Sequence, residues 1–306
     1  MGSIADQQII NVAVAGGTGI LGSLVLKSLL QSGRFNVTIL GRSERNHRPI
    51  GVKLAVVDYN DSNSLVEALK GQDAVVSTLS REATLLQLSL IDAAVTAGVK
   101  RFIPSEFGGN LQNPNSRQLL NYKEKVQVKE HLEKKSKTHE ITYTYIYNNV
   151  FMDWAIETGI LLNLKHAKIH LYDGGERQVS MITMPTAAQA VVAILLHPEE
   201  TKNRPVCIHE AFLSQKQLLA FAKEVAPDRE WREEYVDLQE LERKAMEQQR
   251  PGVPNMSIFH AFAVKGGFGE GFGNQFSEAD NKLLGIQPLS ANGIKDMLTT
   301  MAKKWA

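Results

Sequence analysis

A chain of 306 residues is long enough for one large domain or for two. Its 43% hydrophobic and 22% charged residues, with a formal net charge of +1, match a globular enzyme and lack the basic excess of a nucleic-acid binder. The single cysteine, Cys207, excludes an intrachain disulfide framework and a thiolate-rich zinc site, and the expectation is a reducing, cytoplasmic setting.

No run is apolar over the roughly 18 residues that a membrane span needs. The opening "MGSIADQQ" has no signal-peptide core, and Asp6 stands where a myristoylation pattern on Gly2 wants Ser or Thr.

In chain order, the first half alternates Val- and Ile-rich runs with amphipathic stretches. Strands are predicted at Ile10–Ala15, Asn36–Leu40, Leu54–Val57, Ala74–Ser77, Arg101–Pro104 and Thr142–Tyr147. Runs apolar on both faces belong to a parallel sheet covered by helices. The helical stretches between them stop at Gly33, Gly71 and Gly98. The fold class is therefore α/β, a Rossmann-type doubly wound sheet, with the nucleotide-binding part in residues 1–150. Residues 151–306 are expected to form a smaller, mostly helical substrate-binding domain with segments returning to the sheet. There "VFMDWAIETGILLNL" reads as a helix, "QVSMITM" as a strand, and "RPVCIH", which holds Cys207, as a return to the sheet. Helices follow at "PTAAQAVVAILLHP", "SQKQLLAFAKEVAP", "LQELERKAMEQQ" and "SANGIKDMLTTMAKKW". "KGGFGEGFGNQF" reads as a mobile surface loop, with a lid over the substrate as the alternative.

After the first strand comes "GGTGILG", residues Gly16, Gly17, Thr18, Gly19, Ile20, Leu21 and Gly22. Glycines here permit a tight turn and let backbone N–H groups at a helix start meet a pyrophosphate. At the end of the second strand, where an NAD enzyme usually carries an acid for the ribose 2′-OH, stands Arg42. A guanidinium there grips a 2′-phosphate, so the expected cofactor is NADPH/NADP+. Arg45 and Arg48 add positive field or, with His47, form a solvated loop. Asp58 and Tyr59 are expected near the adenine, and Ser77, Thr78 and Leu79 near the middle of the cofactor. Ordinary loop roles compete with both assignments.

The glycine loop, Arg42, "KRFIPSEFGGN" and "YTYIYNNVF" together resemble the NmrA-like, isoflavone-reductase-like group of atypical short-chain reductases. The likeness extends to "HAFAVKGG" near the C-terminus. The resemblance implies a lysine general acid/base on the helix after "PSEFG", and "NYKEKVQVK" puts Lys123 there. Leu120 and Gln127 depart from the family's aromatic residue and arginine. The resemblance also implies Ser105, Phe107, Lys123 and Asn149 at the cofactor, and Tyr122, Phe151 and His260 at the substrate. Tyr-x-x-x-Lys is absent, because Val126 stands four residues after Tyr122.

Taken by itself, Lys123 is one of six lysines on a charged helix, and such a helix is usually a solvated face. An apolar pocket around it would favour the neutral amine and let it exchange a proton at neutral pH. His166 and His170 have helical ligand spacing but no third ligand, so no metal is expected. The reading is an NADPH-dependent reductase of a small aromatic or polyketide-like substrate, with no nucleic-acid or membrane partner and either a monomeric or a homodimeric state. A non-catalytic dinucleotide sensor working through a protein partner is the alternative of another class, and a non-redox isomerase or dehydratase is the third.

Overall fold

The computed structural model describes residues 8–44, 49, 52–248, 256–277 and 279–305. The elements in chain order begin with β1 (Asn11–Ala15), α1 (Ile20–Ser32), β2 (Asn36–Gly41), β3 (Lys53–Val56) and α2 (Ser62–Leu69). They continue through β4 (Ala74–Ser77), α3 (Leu86–Thr96), β5 (Arg101–Ile103), α4 (Pro114–Arg117), α5 (Lys123–Lys137) and β6 (Thr142–Tyr147). Then come β7 (Val150–Phe151), α6 (Met152–Glu157), β8 (Leu162–Asn163), β9 (Lys168–Tyr172), β10 (Val179–Ile182), α7 (Met184–Leu196) and β11 (Arg204–Cys207). The chain closes with β12 (Ala211–Leu213), α8 (Gln215–Val225), β13 (Arg232–Val236), α9 (Leu238–Glu247), α10 (Met256–Phe268) and α11 (Ala291–Ala302).

Seven strands form one sheet in the order β11-β6-β5-β4-β1-β2-β3. The central strands are apolar on both faces, as a parallel sheet between helices requires: Val14 lies opposite Ile39 on one side and Val76 on the other. Strand β1 sits between β2 and β4, so the chain order reverses there. The carboxyl ends of β1 and β4 thus flank the topological switch point, where ligands bind in such sheets. All six early strands match the expected runs within a residue at each end, and "RPVCIH" supplies β11.

Helix ends follow local chemistry. Gly33 closes α1 in the left-handed region at φ 63°, and Ser214 and Gln217 make a reciprocal capping box on α8. Arg101 is buried, and its guanidinium donates to Thr142, Thr144 and Thr201 hydroxyls and to the Pro198 carbonyl. Burial pushes its pKa down to about 10.

The chain divides into two compact units. The first comprises Met1–Phe107, Glu124–Ile146 and Pro185–Val206 and contains most of the large sheet. The second comprises Gly108–Lys123, Tyr147–Met184 and Cys207–Ala306. Its strands form two small sheets, β12-β10-β7 and β13-β9-β8. Its core gathers Met152, Leu162, Ile169, Met181, Leu218, Phe268 and Leu298.

Two sequence expectations need correction in this second unit. The helix expected over "VFMDWAIETGILLNL" is only α6, because Gly159 turns the chain at φ 72° and Leu162–Asn163 then pairs with β9. The glycine–phenylalanine segment is not a mobile surface loop. Its first residues complete α10, and Phe268, Asn274 and Phe276 are buried. Ser116 donates to the Phe272 carbonyl and Asn115 to that of Gly271, fastening the rest. Burying each phenylalanine contributes roughly 2–3 kcal/mol, which the glycine count concealed. Among the described residues no helix is long and apolar enough to cross a membrane.

Candidate active site

The glycine loop is shaped by close backbone approach. Gly16 has φ 80°, and a Cβ on it would lie 2.6 Å from the Thr78 carbonyl oxygen. A Cβ on Gly22 would lie 2.0 Å from the Gly16 carbonyl oxygen and 2.6 Å from Thr78 Oγ1. The Gly19 N–H closes the turn onto the Gly16 carbonyl at 2.9 Å. Thr78 ties the loop to the end of β4, donating from both N–H and hydroxyl to the Ala15 carbonyl at 2.8 and 2.9 Å. No side chain caps α1, so its first N–H groups face outward from a bare glycine start, and Ile20 at its head is 69% exposed. A hollow of about 500 Å³ opens beside Gly17 and Thr18 and runs along α1 past Lys27 to Pro49.

Arg42 follows β2 directly and is exposed. Tyr59 is buried, and burial pushes its phenol up to about 12 against the opposing charge of Arg42. Asp58 sits in a tight turn, accepting from the Asn60 N–H at 2.9 Å. Arg45, His47 and Arg48 lie outside the described residues.

At the end of β4, Ser77 is buried, and its hydroxyl has no partner among the described residues. The Leu79 carbonyl accepts from the Ser105 hydroxyl at 2.9 Å, and the Ser105 N–H donates to Gln87 Oε1 at 2.8 Å. Phe107 takes φ 34°, a left-handed value that a phenylalanine adopts only under constraint. The first unit thus brings together Gly16, Thr18, Gly19, Gly22, Ser77, Thr78, Leu79, Ser105 and Phe107 at successive strand ends of one sheet edge.

In the second unit, the N–H groups of Asn148 and Asn149 donate to the Gly108 carbonyl at 3.1 and 3.0 Å. Asn149 has φ 55°, and its Nδ2 donates to the carbonyls of Ser180 and Gly267 at 3.0 and 3.2 Å. Its amide N–H groups therefore fasten the turn after β6 to β10 and α10. Phe151 is half-buried and pairs with Ile182. The Tyr122 hydroxyl accepts from the Gly109 N–H at 3.3 Å, and its ring lies against Gly266 of α10. His260, also on α10, is half-buried, and burial, then the neighbouring His170, pushes its pKa down. His166 lies in a turn and His170 on β9, so their spacing is not helical, and no cluster of metal-ligating side chains occurs among the described residues.

Lys123 opens α5 with its side chain exposed. Desolvation falls instead on Lys125, whose ammonium burial pushes down. Sequence reasoning missed Lys125, Glu106 and Asn148. Glu106 is fully enclosed, and burial pushes its carboxyl up to about 7 against the nearby charges of Lys125 and Lys129. Asn148 is buried, with neither side-chain atom hydrogen-bonded among the described residues. A usable signal existed for the lysines. Positions 125, 129, 132 and 136 follow the helical period, and Lys129, Leu132 and Ser136 are buried on that stripe.

The NmrA-like family profile matches residues 10–284. An oxidoreductase of Aspergillus flavus, aprR, is 33% identical over 302 residues, covering 96% of this chain and 99% of the relative. The bifunctional pinoresinol-lariciresinol reductase of Linum album is 29% identical over 234 residues, 68% of this chain and 70% of that one. Among solved structures, a leucoanthocyanidin reductase from Vitis vinifera in binary complex with NADPH superposes with a TM-score of 0.76 at 21% identity, covering 96% and 99% of the two chains, a likeness of fold.

Proposed function

The chain belongs to the NmrA-like family as an oxidoreductase of the isoflavone-reductase-like type, and from that premise we propose that it uses NADPH to reduce a small conjugated or aromatic substrate. The observation that carries the cofactor reading is the Gly16–Gly22 loop, where a Cβ on Gly22 would strike backbone at 2.0 Å and a bare helix start is left open at the switch point of the sheet. These residues fit a dinucleotide. The loop N–H groups take the pyrophosphate, and Arg42, placed where an acid would select NAD, takes the 2′-phosphate. NADPH-bound relatives of the same fold support the choice.

NADPH, when bound, supplies the hydride. Ser77, Thr78, Leu79, Ser105 and Phe107 line its path, and Asn149 shapes the floor through the turn it fastens. Lys123 Nζ supplies or removes the compensating proton, and its position at the head of α5 leaves that amine exposed to reach a substrate. Tyr122, Phe151 and His260 belong to the substrate side. The likeness to a pinoresinol-lariciresinol reductase and a leucoanthocyanidin reductase supports that substrate class.

Calorimetric titration tests the reading. Wild-type protein should bind NADPH well above NADH, and Arg42→Ala should weaken NADPH by about 10- to 100-fold while leaving NADH unchanged, the effect of losing a charged hydrogen-bonded contact. Heat from neither dinucleotide, or equal affinities that Arg42→Ala does not alter, sinks the assignment.

A further inference from the structure

The turn after β5 is pinned at successive backbone groups. The Ser105 N–H and hydroxyl are held by Gln87 and by the Leu79 carbonyl, and the Glu106 N–H folds back to the Pro104 carbonyl at 2.8 Å. The next residue, Phe107, carries the left-handed φ of 34°. A bulky side chain held there costs of order 1–3 kcal/mol and persists only when its surroundings over-determine it. The carbonyl of the Glu106–Phe107 peptide is the hinge of that strain, and it accepts from the Lys125 ammonium.

We propose that the half-buried Lys125 and the buried Glu106 together form an anchor that holds the Ser105–Phe107 turn in its cofactor-receiving shape, making Lys125 a positioning residue with a role distinct from that of Lys123. The two groups need one another. An ammonium drawn inward to reach a backbone carbonyl is costly unless a counter-charge accompanies it, and the enclosed Glu106 carboxyl provides one from the same turn. The neighbouring lysine of the stripe is not available for this task. Lys129 Nζ is bonded to the Glu133 carboxylate and lies 4.5 Å above the Tyr145 ring. The outward lysines at 134 and 137 are exposed. Lys125 is thus the cation of α5 bonded to the turn that the nicotinamide end of the cofactor would meet.

The inference rests on the NADPH reading, and two probes keep their failures apart. Adenosine 2′,5′-bisphosphate reports the glycine-loop and Arg42 half alone, whereas NADPH also reports the turn. At about pH 8, Lys125→Met should weaken NADPH by about 3- to 10-fold, the range of one lost hydrogen bond, and leave the bisphosphate unchanged. Lys125→Arg, which keeps a charged donor, should recover most of the loss. A general loosening of the fold would weaken both ligands in parallel, and that result overturns the proposal, as does unchanged binding of both. If Lys125→Met does not fold, the same pair of titrations on Lys125→Ala decides in the same way, because that variant also removes the donor to the Glu106 carbonyl. Wild-type protein that binds neither probe refutes the cofactor reading instead.

Discussion

The loop after β1 and the turn after β6 solve the same problem by opposite means. Both leave a strand of the large sheet, and both carry a positive φ, 80° at Gly16 and 55° at Asn149. The first is closed by leaving side chains out. Gly19 and Gly22 close onto the Gly16 carbonyl within seven residues, and Gly16 itself lies against the Thr78 backbone. The second is closed by adding one, since the Asn149 amide reaches the carbonyls of Ser180 and Gly267, 31 and 118 residues away. A contact made by omission tolerates nothing larger, whereas a contact made by a hydrogen-bonding side chain fails when that side chain is removed.

The widest gap between the regions should appear in chemistry. If the glycine loop serves binding and the head of α5 serves proton transfer, Lys123→Ala should lower turnover by about 10²- to 10⁴-fold, the usual worth of a placed acid or base, without altering NADPH affinity. Single-turnover NADPH oxidation with a panel of conjugated aromatics measures the first quantity and calorimetry the second. A mutant as fast as its parent removes Lys123 from the reaction.

Substituting glycines sharpens the contrast at the level of the fold. Gly22→Ala drives a methyl to 2.0 Å from a backbone oxygen that cannot rotate away. The cost should sit at the upper end of the about 1–3 kcal/mol typical of overpacking, lowering the melting temperature by roughly 5–10 °C. Gly267→Ala in α10 meets side chains and no backbone, Val150 at 3.3 Å and Asn149 Oδ1 at 3.9 Å, and alanine suits a helix interior better than glycine. Its melting temperature should stay within about 2 °C of wild type. Similar losses from the two would erase the distinction.

Removing the amide tests the other region. Asn149→Ala leaves two buried carbonyls short of a donor and places alanine at a left-handed φ. The expected loss is about 2 kcal/mol by thermal unfolding. Asn149→Gly relieves the backbone but not the carbonyls, so it should recover only part. Full recovery would mean that φ, and not the hydrogen bonds, sets the need for asparagine.

The same contrast explains what could be read from the sequence. Strand runs and the glycine loop are local: Val- and Ile-rich stretches and a glycine spacing within seven residues carry their own physics, and they were found within a residue or so. Asn149 was marked only through resemblance, and its work as a clamp was invisible because its partners are remote in sequence. Glu106 escaped because an isolated acid gives no sign of enclosure. Lys125 escaped because a run of lysines suggests a solvated face, although its spacing from Lys129, Leu132 and Ser136 marks the inward stripe. The segment Lys265–Phe276 reads as a loop because its glycine content masks the aromatic residues that bury it.

The last contrast is one of pH, and it probes the anchor of the first unit directly. Burial pushes the Glu106 carboxyl from its ordinary 4.5 up to about 7, with Lys125 and Lys129 pulling the other way. Between those values the folded protein keeps a proton that the unfolded chain has released, so stability falls as pH rises through this window and levels off above it. Lys125 acts in the opposite sense on the alkaline side. Its pKa is pushed down by burial, so the folded state gives up its proton before the unfolded chain does, and stability rises with pH there. Glu106→Gln removes the first effect and keeps the shape. The melting temperature of wild type relative to Glu106→Gln should therefore decline from about pH 5 to about pH 7.5 and then run parallel. Parallel curves throughout would show that the carboxyl stays ionised at pH 5, with the Lys125 ammonium outweighing its desolvation.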